Sequence, residues 1–162
     1  MTTTPVALVT GATSGIGQAA ALALADAGFE VIGTGRNTAR IAPHDGVTLV
    51  DLDVSSDESV AAVIQRVIER FGRIDVLINN AGIGSAGAAE ESSVEQAQRI
   101  FNVNVFGVMR MTKAVLPAAH ARTGERTHHQ PLLRARVPAG ALRGCVRGNE
   151  ARHRGILRVT RP

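Results

Sequence analysis

Three glycines near the N-terminus could hold a phosphate group. Gly11, Gly15 and Gly17 follow the apolar run Val6–Thr10 and lead into an alanine-rich stretch, Gln18–Ala27. Glycine lets the chain turn sharply and lets a phosphate approach the main chain without a Cβ in the way. The free N–H groups and the positive dipole end of the following helix favour negative charge. The spacing predicts a pyrophosphate site, with a strand-to-helix turn without a ligand as the alternative.

Polar residues follow three further predicted strands. Arg36 comes just after the second strand, where a dinucleotide site that prefers NAD usually carries an acid. An arginine there suits a 2′-phosphate, and a solvated loop arginine is the alternative. Asp53 ends the third strand at the carboxyl edge, either as a ligand-site residue or as a cap. Asn79-Asn80-Ala81-Gly82 follows the fourth strand, either as a turn or as a second wall of the same cleft.

Residues 1–117 carry the elements that must position these side chains. Short β-branched runs alternate there with amphipathic stretches. This alternation predicts an α/β fold with a parallel sheet covered on both faces and right-handed crossovers. Ser56 is the predicted N-cap of the second helix, whose apolar residues share one face. The predicted strands are Ala7–Thr10, Glu30–Gly33, Thr48–Leu52 and Asp75–Ile78, and the predicted helices lie near Gly15–Ala27, Ser56–Phe71 and Ser92–Leu116.

Four motifs in combination resemble the short-chain dehydrogenase/reductase family over residues 5–117. They are the glycine turn Thr10–Gly17, Asp53-Val54, Asn79–Gly82, and Asn104 within the segment Asn102–Gly107. The resemblance implies a Rossmann-type, three-layer fold that binds NAD or NADP. It also implies reversible hydride transfer between the nicotinamide and a carbonyl or alcohol. Because Arg36 replaces the usual acid, NADP is the expected preference and NAD is possible.

The resemblance also assigns roles to individual residues. Arg36 would face the 2′-phosphate. Asn104 would be the catalytic asparagine that holds a water in the proton relay, and a polar residue within a long helix is the alternative. No metal site is expected. The pyrophosphate would lie against Gly11, Thr13, Ser14, Gly15, Ile16 and Gly17, the adenine against Asp53 and Val54, and the adenosine ribose side against Asn80, Ala81 and Gly82.

The rest of the family's catalytic set is missing after Asn104. In the family a serine precedes a tyrosine-x-x-x-lysine motif; the tyrosine exchanges a proton with the substrate, and the lysine lowers its pKa and binds the ribose. This chain has no tyrosine, and Lys113 is its only lysine. We therefore expect a catalytically incomplete fragment, truncated after the fourth strand and its helix, with one sheet edge uncovered.

Residues 118–162 differ in composition from the rest of the chain. Their net charge is +8 against −4 for residues 1–117, and no hydrophobic period survives, which predicts a disordered tail. Translated one nucleotide later, with the free middle bases chosen to match, the tail can encode the family's missing residues. The serine then falls at Leu133, the tyrosine at Val146 and the lysine at Glu150. This pattern predicts a frameshift near Gly124 and out-of-frame translation beyond it.

Composition narrows the possible function classes. A single cysteine, Cys145, allows no internal disulfide and favours a reducing, cytoplasmic location. No apolar run reaches the roughly 18 residues of a membrane span. A non-catalytic nucleotide-binding or interaction fragment is the main alternative to an oxidoreductase. Nucleic-acid binding through the Arg-rich tail is a third, disfavoured because stacking aromatics are absent. The family implies a small carbonyl or alcohol substrate and a homo-oligomer, although oligomerisation is doubtful for this chain.

Overall fold

The computed structural model describes residues 4–85, 92–120 and 133–135 of the chain. Strands and helices alternate over this part, and each of the four predicted strands begins within one residue of its predicted start. The elements in chain order are β1 (Val6–Thr10), α1 (Gly15–Asp26), β2 (Glu30–Gly35), a 3₁₀ turn (Thr38–Arg40), β3 (Val47–Asp51), α2 (Asp57–Phe71), β4 (Val76–Asn79), α3 (Val94–Phe101), a π turn (Asn102–Phe106), α4 (Gly107–His120) and β5 (Leu133–Ala135).

The strands form one parallel sheet in the order β3-β2-β1-β4-β5. β1 lies at the centre, where Leu8 pairs with Ile32 of β2 on one side and with Leu77 of β4 on the other. The strand order therefore reverses direction at β1. In open parallel sheets, ligands bind beyond the carboxyl ends of the strands at such a switch point. The predicted α/β fold with four parallel strands is confirmed.

One detail of the sheet differs from the prediction. The sequence predicts that β4 lies at an uncovered edge, but Leu133–Ala135 pairs with β4 over three residues, from Leu77–Leu133 to Asn79–Ala135. Backbone N–H and C=O groups form this pairing, and three residues are too few to show the alternating apolar pattern by which a strand is predicted from sequence. Apart from residues 118–120 and 133–135, the predicted disordered tail lies outside the described residues.

Helices cover both faces of the sheet and give the expected three layers. On one face, the buried residue Ala21 of α1 packs in a cluster with side chains of β1 and β2. On the other face, α2 and α4 pack against the opposite side chains of the same strands. Alternate residues of a strand point to opposite faces, which explains this division. The first cluster is Ala7, Val9, Ala12, Ala21 and Val31, and the second includes Leu8, Ile32, Leu77, Val60, Val63, Ile64, Val67, Met111 and Val115.

The predicted N-cap of α2 is confirmed. The Ser56 hydroxyl accepts a hydrogen bond from the Ser59 N–H at 3.2 Å. Asp57 and Glu58 lie in the first turn, where negative charge complements the helix dipole. At the other end, Gly72 adopts a left-handed conformation with φ of 70°, and its N–H donates to the Ile68 carbonyl at 2.8 Å. Local sequence signals alone therefore define both ends of this helix.

The long helix predicted over Ser92–Leu116 is interrupted. It begins at Val94, capped by the Ser93 hydroxyl, and continues past Pro117 to His120, but Asn102–Phe106 forms a π turn. The predicted helical stretch is therefore confirmed, and the π turn within it is a feature that the sequence pattern does not predict. Two contacts accompany the widened turn: Asn104 bonds a neighbouring loop, and Gly107 lies so close to Val54 that a Cβ there would be 2.9 Å from Val54 Cγ2. Such single π turns are frequent at functional sites.

Candidate functional site

A cleft of about 410 Å³ opens beyond the carboxyl ends of β1 to β4. Most of the predicted site residues line it: Gly11, Thr13, Ser14, Arg36, Asp53, Val54, Asn80, Ala81 and Gly82. Four predicted residues lie outside the lining, namely Gly15, Ile16, Gly17 and Asn104. Six lining residues were not predicted: Thr34, Gly35, Leu52, Ser55, Ile83 and Val103. Most of these directly neighbour a predicted residue in the chain, and this adjacency is the signal that could have found them.

The glycine turn between β1 and α1 presents its backbone to the cleft. Gly11 and Gly15 have positive φ angles of 66° and 57°, which L side chains rarely adopt. Ser14 is the N-cap of α1, and its side chain makes no capping hydrogen bond. The first-turn N–H groups of a helix have no partner within the helix. Nothing lies within 4 Å of the position that a Cβ on Gly15 would occupy, so the turn is open beside this residue.

Gly17 lies on the packed side of this turn. A Cβ there would overlap the Gly11 carbonyl oxygen and the Asn80 side-chain nitrogen. Gly17 itself is buried at the start of α1, whereas the neighbouring Ile16 is 65% exposed. The third glycine of the motif therefore lets the helix approach the loop beneath it.

Asn80 joins the two walls of the cleft. Its side-chain nitrogen donates to the Thr10 carbonyl at 3.1 Å and to the Gly11 carbonyl at 3.0 Å. The Thr10 hydroxyl in turn accepts from the backbone N–H groups of Asn80 at 2.9 Å and Ala81 at 3.0 Å. Four hydrogen bonds thus connect the loop after β4 with the glycine turn after β1, and they fix the spacing of the cleft walls.

Asn104 holds the same loop from the helix side. Its side-chain oxygen accepts from the Ile83 N–H at 2.9 Å, and its side-chain nitrogen donates to the Ile83 carbonyl at 2.7 Å. The residue is 1% exposed. The side-chain amide thus pairs with both backbone groups of Ile83, as the backbone of a neighbouring strand would. The Asn104 side chain thus acts on the cleft through the loop at Ile83, which lines it.

Asp53 and Arg36 give the cleft its charge. One oxygen of the Asp53 carboxylate accepts from the Ser55 hydroxyl at 2.6 Å and from the Ser55 N–H at 2.9 Å. These two hydrogen bonds lower the pKa of Asp53 below its usual value, and Arg36 and Arg110 lower it further by charge attraction. The Arg36 side chain is exposed at the mouth of the cleft. An anionic ligand would therefore meet a cation at Arg36 and acceptor groups at Asp53.

A second cavity of about 490 Å³ lies between α2 and α4. Its lining includes Asp57 and Arg110, which form an ion pair at 2.9 Å, together with Phe106, Met109 and Lys113. No cluster of three metal-ligating side chains occurs among residues 4–85, 92–120 and 133–135. No helix in the same part of the chain is long and apolar enough to cross a membrane.

Comparison with known proteins shows where this arrangement occurs elsewhere. The family model described as "short chain dehydrogenase" matches residues 5–125. The chain is 41% identical over 112 residues to a 3-ketodihydrosphingosine reductase from Bacteroides thetaiotaomicron, covering 69% of this chain and 41% of that protein. Two further relatives are matched over 51% and 52% of their length. The chain thus spans about half the length of the curated relatives it matches.

Two solved structures share the fold and contain nicotinamide cofactors. An alcohol dehydrogenase from Thermococcus sibiricus, complexed with 5-hydroxy-NADP, has a TM-score of 0.66 and 40% identity, covering 71% of this chain and 53% of that one. A 3-ketoacyl-(acyl-carrier-protein) reductase from Brucella melitensis, complexed with NADH, has a TM-score of 0.66 and 38% identity, covering 70% and 50%. Similar proteins therefore bind cofactors with the 2′-phosphate and cofactors without it.

Proposed function

Because the chain belongs to the short-chain dehydrogenase family, we propose that its cleft binds NADP(H) in preference to NAD(H). In a complete protein of this family, these residues would form the cofactor-binding part of an oxidoreductase. That enzyme would transfer hydride between the nicotinamide and a carbonyl or alcohol carbon. The cofactor supplies the hydride chemistry when it is bound. The residues of this chain bind, orient and enclose it.

The open glycine turn supports the placement of the pyrophosphate. Gly15 faces free space, and the first-turn N–H groups of α1 are aligned with the positive end of the helix dipole. Thr13 and Ser14 line the cleft beside that turn and bring two hydroxyl groups to the site. Gly17 would act indirectly by allowing α1 to pack on the loop, and Ile16 would contribute its backbone. The residues present therefore fit a dinucleotide phosphate.

Arg36 is the observation that carries the cofactor preference. Its exposed guanidinium lines the cleft just after β2. A guanidinium matches a phosphate in both charge and donor geometry. Asp53 and Val54 would border the adenine, and Asn80, Ala81 and Gly82 the adenosine ribose. Asn104 would position the loop at Ile83 through its side-chain amide, and as the family's relay asparagine it would hold a water.

Replacing Arg36 tests the preference directly. A charge-assisted arginine–phosphate contact is worth about 1.5–3 kcal/mol. We expect Arg36→Ala to raise the Kd for NADPH at least about tenfold and to leave the Kd for NADH within about twofold. Isothermal titration calorimetry on the full chain measures both constants. Arg66→Ala removes an exposed cation from α2 and is the matched control. Equal losses for both cofactors would show that Arg36 does not bind the phosphate.

We also propose that this chain binds cofactor without completing the reaction. The chain contains no tyrosine. Its only lysine, Lys113, lines the cavity between α2 and α4 and not the cleft. The family match ends at residue 125, next to the predicted frameshift at Gly124, which supports out-of-frame translation of the tail. Nucleotide binding without turnover is thus the form of the function that these residues favour.

A further inference from the structure

The turn that follows Arg36 is tied to the end of a neighbouring strand. The backbone N–H of Thr38 donates to one oxygen of the Asp51 carboxylate at 2.6 Å, and the Thr38 hydroxyl donates to the same oxygen at 2.7 Å. Thr38 begins the 3₁₀ turn, and Asp51 is the last residue of β3. The two hydrogen bonds therefore connect the segment after β2 to the carboxyl end of β3.

The residue before Arg36, Gly35, is also held in place by hydrogen bonds. Gly35 pairs with Asp51 in the sheet, and the Gly35 carbonyl accepts from the Leu52 N–H at 2.8 Å. A Cβ on Gly35 would overlap the Thr13 side chain, so Gly35 is in close contact with the glycine turn. Arg36 and Asn37 are thus the only two residues between Gly35, fixed in the sheet, and Thr38, fixed by Asp51.

The chemistry of Asp51 suits an anchor more than a ligand. Two donors from Thr38 converge on one carboxylate oxygen, which lowers the pKa of Asp51. Both donors belong to one residue, so the contact fixes the direction in which the chain leaves Arg36. Without it, the four residues Arg36–Ala39 would be held by the sheet at one end only.

We propose that Asp51 is a positioning residue for NADP(H) recognition, which anchors Thr38 so that Arg36 faces the 2′-phosphate. This inference rests on the proposed function. A binding-competent arrangement that is populated only in part weakens apparent affinity by the same fraction. The affinity for NADPH, whose 2′-phosphate contacts Arg36 in this proposal, should therefore depend on the anchor. The affinity for NADH, which lacks the 2′-phosphate, should not. The rival role for Asp51 is simple repulsion of the phosphate by a nearby carboxylate.

Two substitutions separate anchoring from repulsion. Asp51→Ala removes both the acceptor and the charge, whereas Asp51→Asn removes the charge and keeps an acceptor oxygen. We expect Asp51→Ala to raise the Kd for NADPH at least threefold with little change for NADH, and Asp51→Asn to raise it less. Asp45→Ala, which removes an exposed acid from the same β2–β3 connection, is the control for net charge. Calorimetry gives the Kd values, and amide hydrogen exchange at Thr38 reports the anchor without cofactor.

The outcomes are distinguishable. Faster exchange of the Thr38 amide in Asp51→Ala, together with a selective loss of NADPH affinity, supports the anchor. Tighter NADPH binding in both Asp51 variants would show repulsion and overturn the inference. Unchanged exchange at Thr38, or equal loss for both cofactors, would also overturn it. A wild-type chain that binds neither cofactor would overturn the proposed function and this inference with it, whereas NADPH binding that is equal in wild type and Asp51→Ala would overturn the inference alone.

Discussion

Asn80 and Asn104 use their side-chain amides in the same way, from opposite sides of one loop. Asn80 holds the start of the loop to the glycine turn, and Asn104 holds Ile83 to the π turn. Each side chain substitutes for backbone pairing where no strand continues. Leaving buried polar groups unpaired is costly, so these two pairings help to determine the loop conformation as well as its position.

Loss of the Asn104 amide should destabilise the chain. Asn104→Ala leaves the N–H and carbonyl of the half-buried Ile83 without the buried amide that pairs with them, and an unpaired group that water does not reach costs about 1–3 kcal/mol. We expect a lower free energy of unfolding, by roughly 2–4 kcal/mol, and weaker NADPH binding. Urea denaturation followed by circular dichroism measures the first effect. Asn102→Ala, in the same π turn, should change stability much less, and an equal loss in both variants would contradict the role of the amide.

Asp53 should make stability depend on pH in the acid range. Hydrogen bonds from Ser55 lower the pKa of Asp53 in the folded chain below its ordinary value of 3.8. A lowered folded pKa stabilises the fold fully well above 3.8, and that stabilisation is lost as pH falls through the folded value. We expect Asp53→Asn to be less stable than wild type at neutral pH, with the difference shrinking as the pH is lowered through the acid range.

Urea midpoints measured at a series of pH values check this expectation. Ser55→Ala removes one of the two donors and should show a smaller version of the same pH-dependent difference. A difference between Asp53→Asn and wild type that stays constant from neutral to acid pH would show that the Asp53 carboxylate is not selectively stabilised in the fold.

The packing of α1 on the loop beneath it depends on the absence of a side chain at Gly17. Helix α1, the loop after β1 and the loop after β4 meet at this point, because Gly17 touches both Gly11 and Asn80. The same contact sets how close the N-terminus of α1 comes to the cleft. Packing between elements and the geometry of the site are therefore linked through one residue.

An alanine at position 17 should disturb both the packing of α1 and the geometry of the cleft. The added Cβ of Gly17→Ala must push α1 away from the loop, and overpacking of this kind costs about 1–3 kcal/mol. We expect a lower Tm by differential scanning calorimetry and a higher Kd for NADPH. Gly84→Ala is the matched control, because a Cβ there meets nothing within 4 Å. Unchanged stability in Gly17→Ala would mean that α1 adapts without cost.

In the chain considered as a unit, a cleft lies at the carboxyl ends of the strands and part of a helical surface is exposed. Large apolar side chains along α3, the π turn and α4 remain exposed, including Phe101, Phe106 and Met109 at 54%, 49% and 48%. The chain spans about half of its relatives' length. The residues proposed to bind cofactor thus lie within the half of its relatives' length that this chain spans.

The chain as given should not turn over. Hydride transfer to a carbonyl needs a proton donor, and general acid–base help contributes roughly 10²–10⁴-fold. With no tyrosine in the chain, we expect no oxidation of NADPH in the presence of reactive aldehydes or diketones, followed at the nicotinamide absorbance. A gene with the frame restored near codon 124 should encode an active protein, and resequencing should show an open frame beyond codon 162.

Two results would contradict this expectation. Turnover by the given chain that survives removal of residues 118–162 would require a proton donor within the first 117 residues. Stop codons within the alternate frame would remove the basis for the frameshift proposal.

The sequence by itself determined the α/β fold, the limits of α2, and most of the residues that line the cleft. These features depend on short segments: apolar alternation, a capping serine, and glycines that follow a strand. Ser56 and Gly72, for example, bond only to groups three or four residues away. Local signals of this kind are strong because they act over one helical turn or one strand.

Only the tertiary structure decided how the cleft is held together. Asn80 bonds residues 69 and 70 positions away, Asn104 bonds Ile83 across 21 positions, and Thr38 bonds Asp51 across 13. The π turn and the pairing of Leu133–Ala135 with β4 are likewise set by neighbours distant in the chain. Such contacts depend on which strands lie side by side in the sheet. The order of strands in a sheet cannot be read from the spacing of residues within one segment.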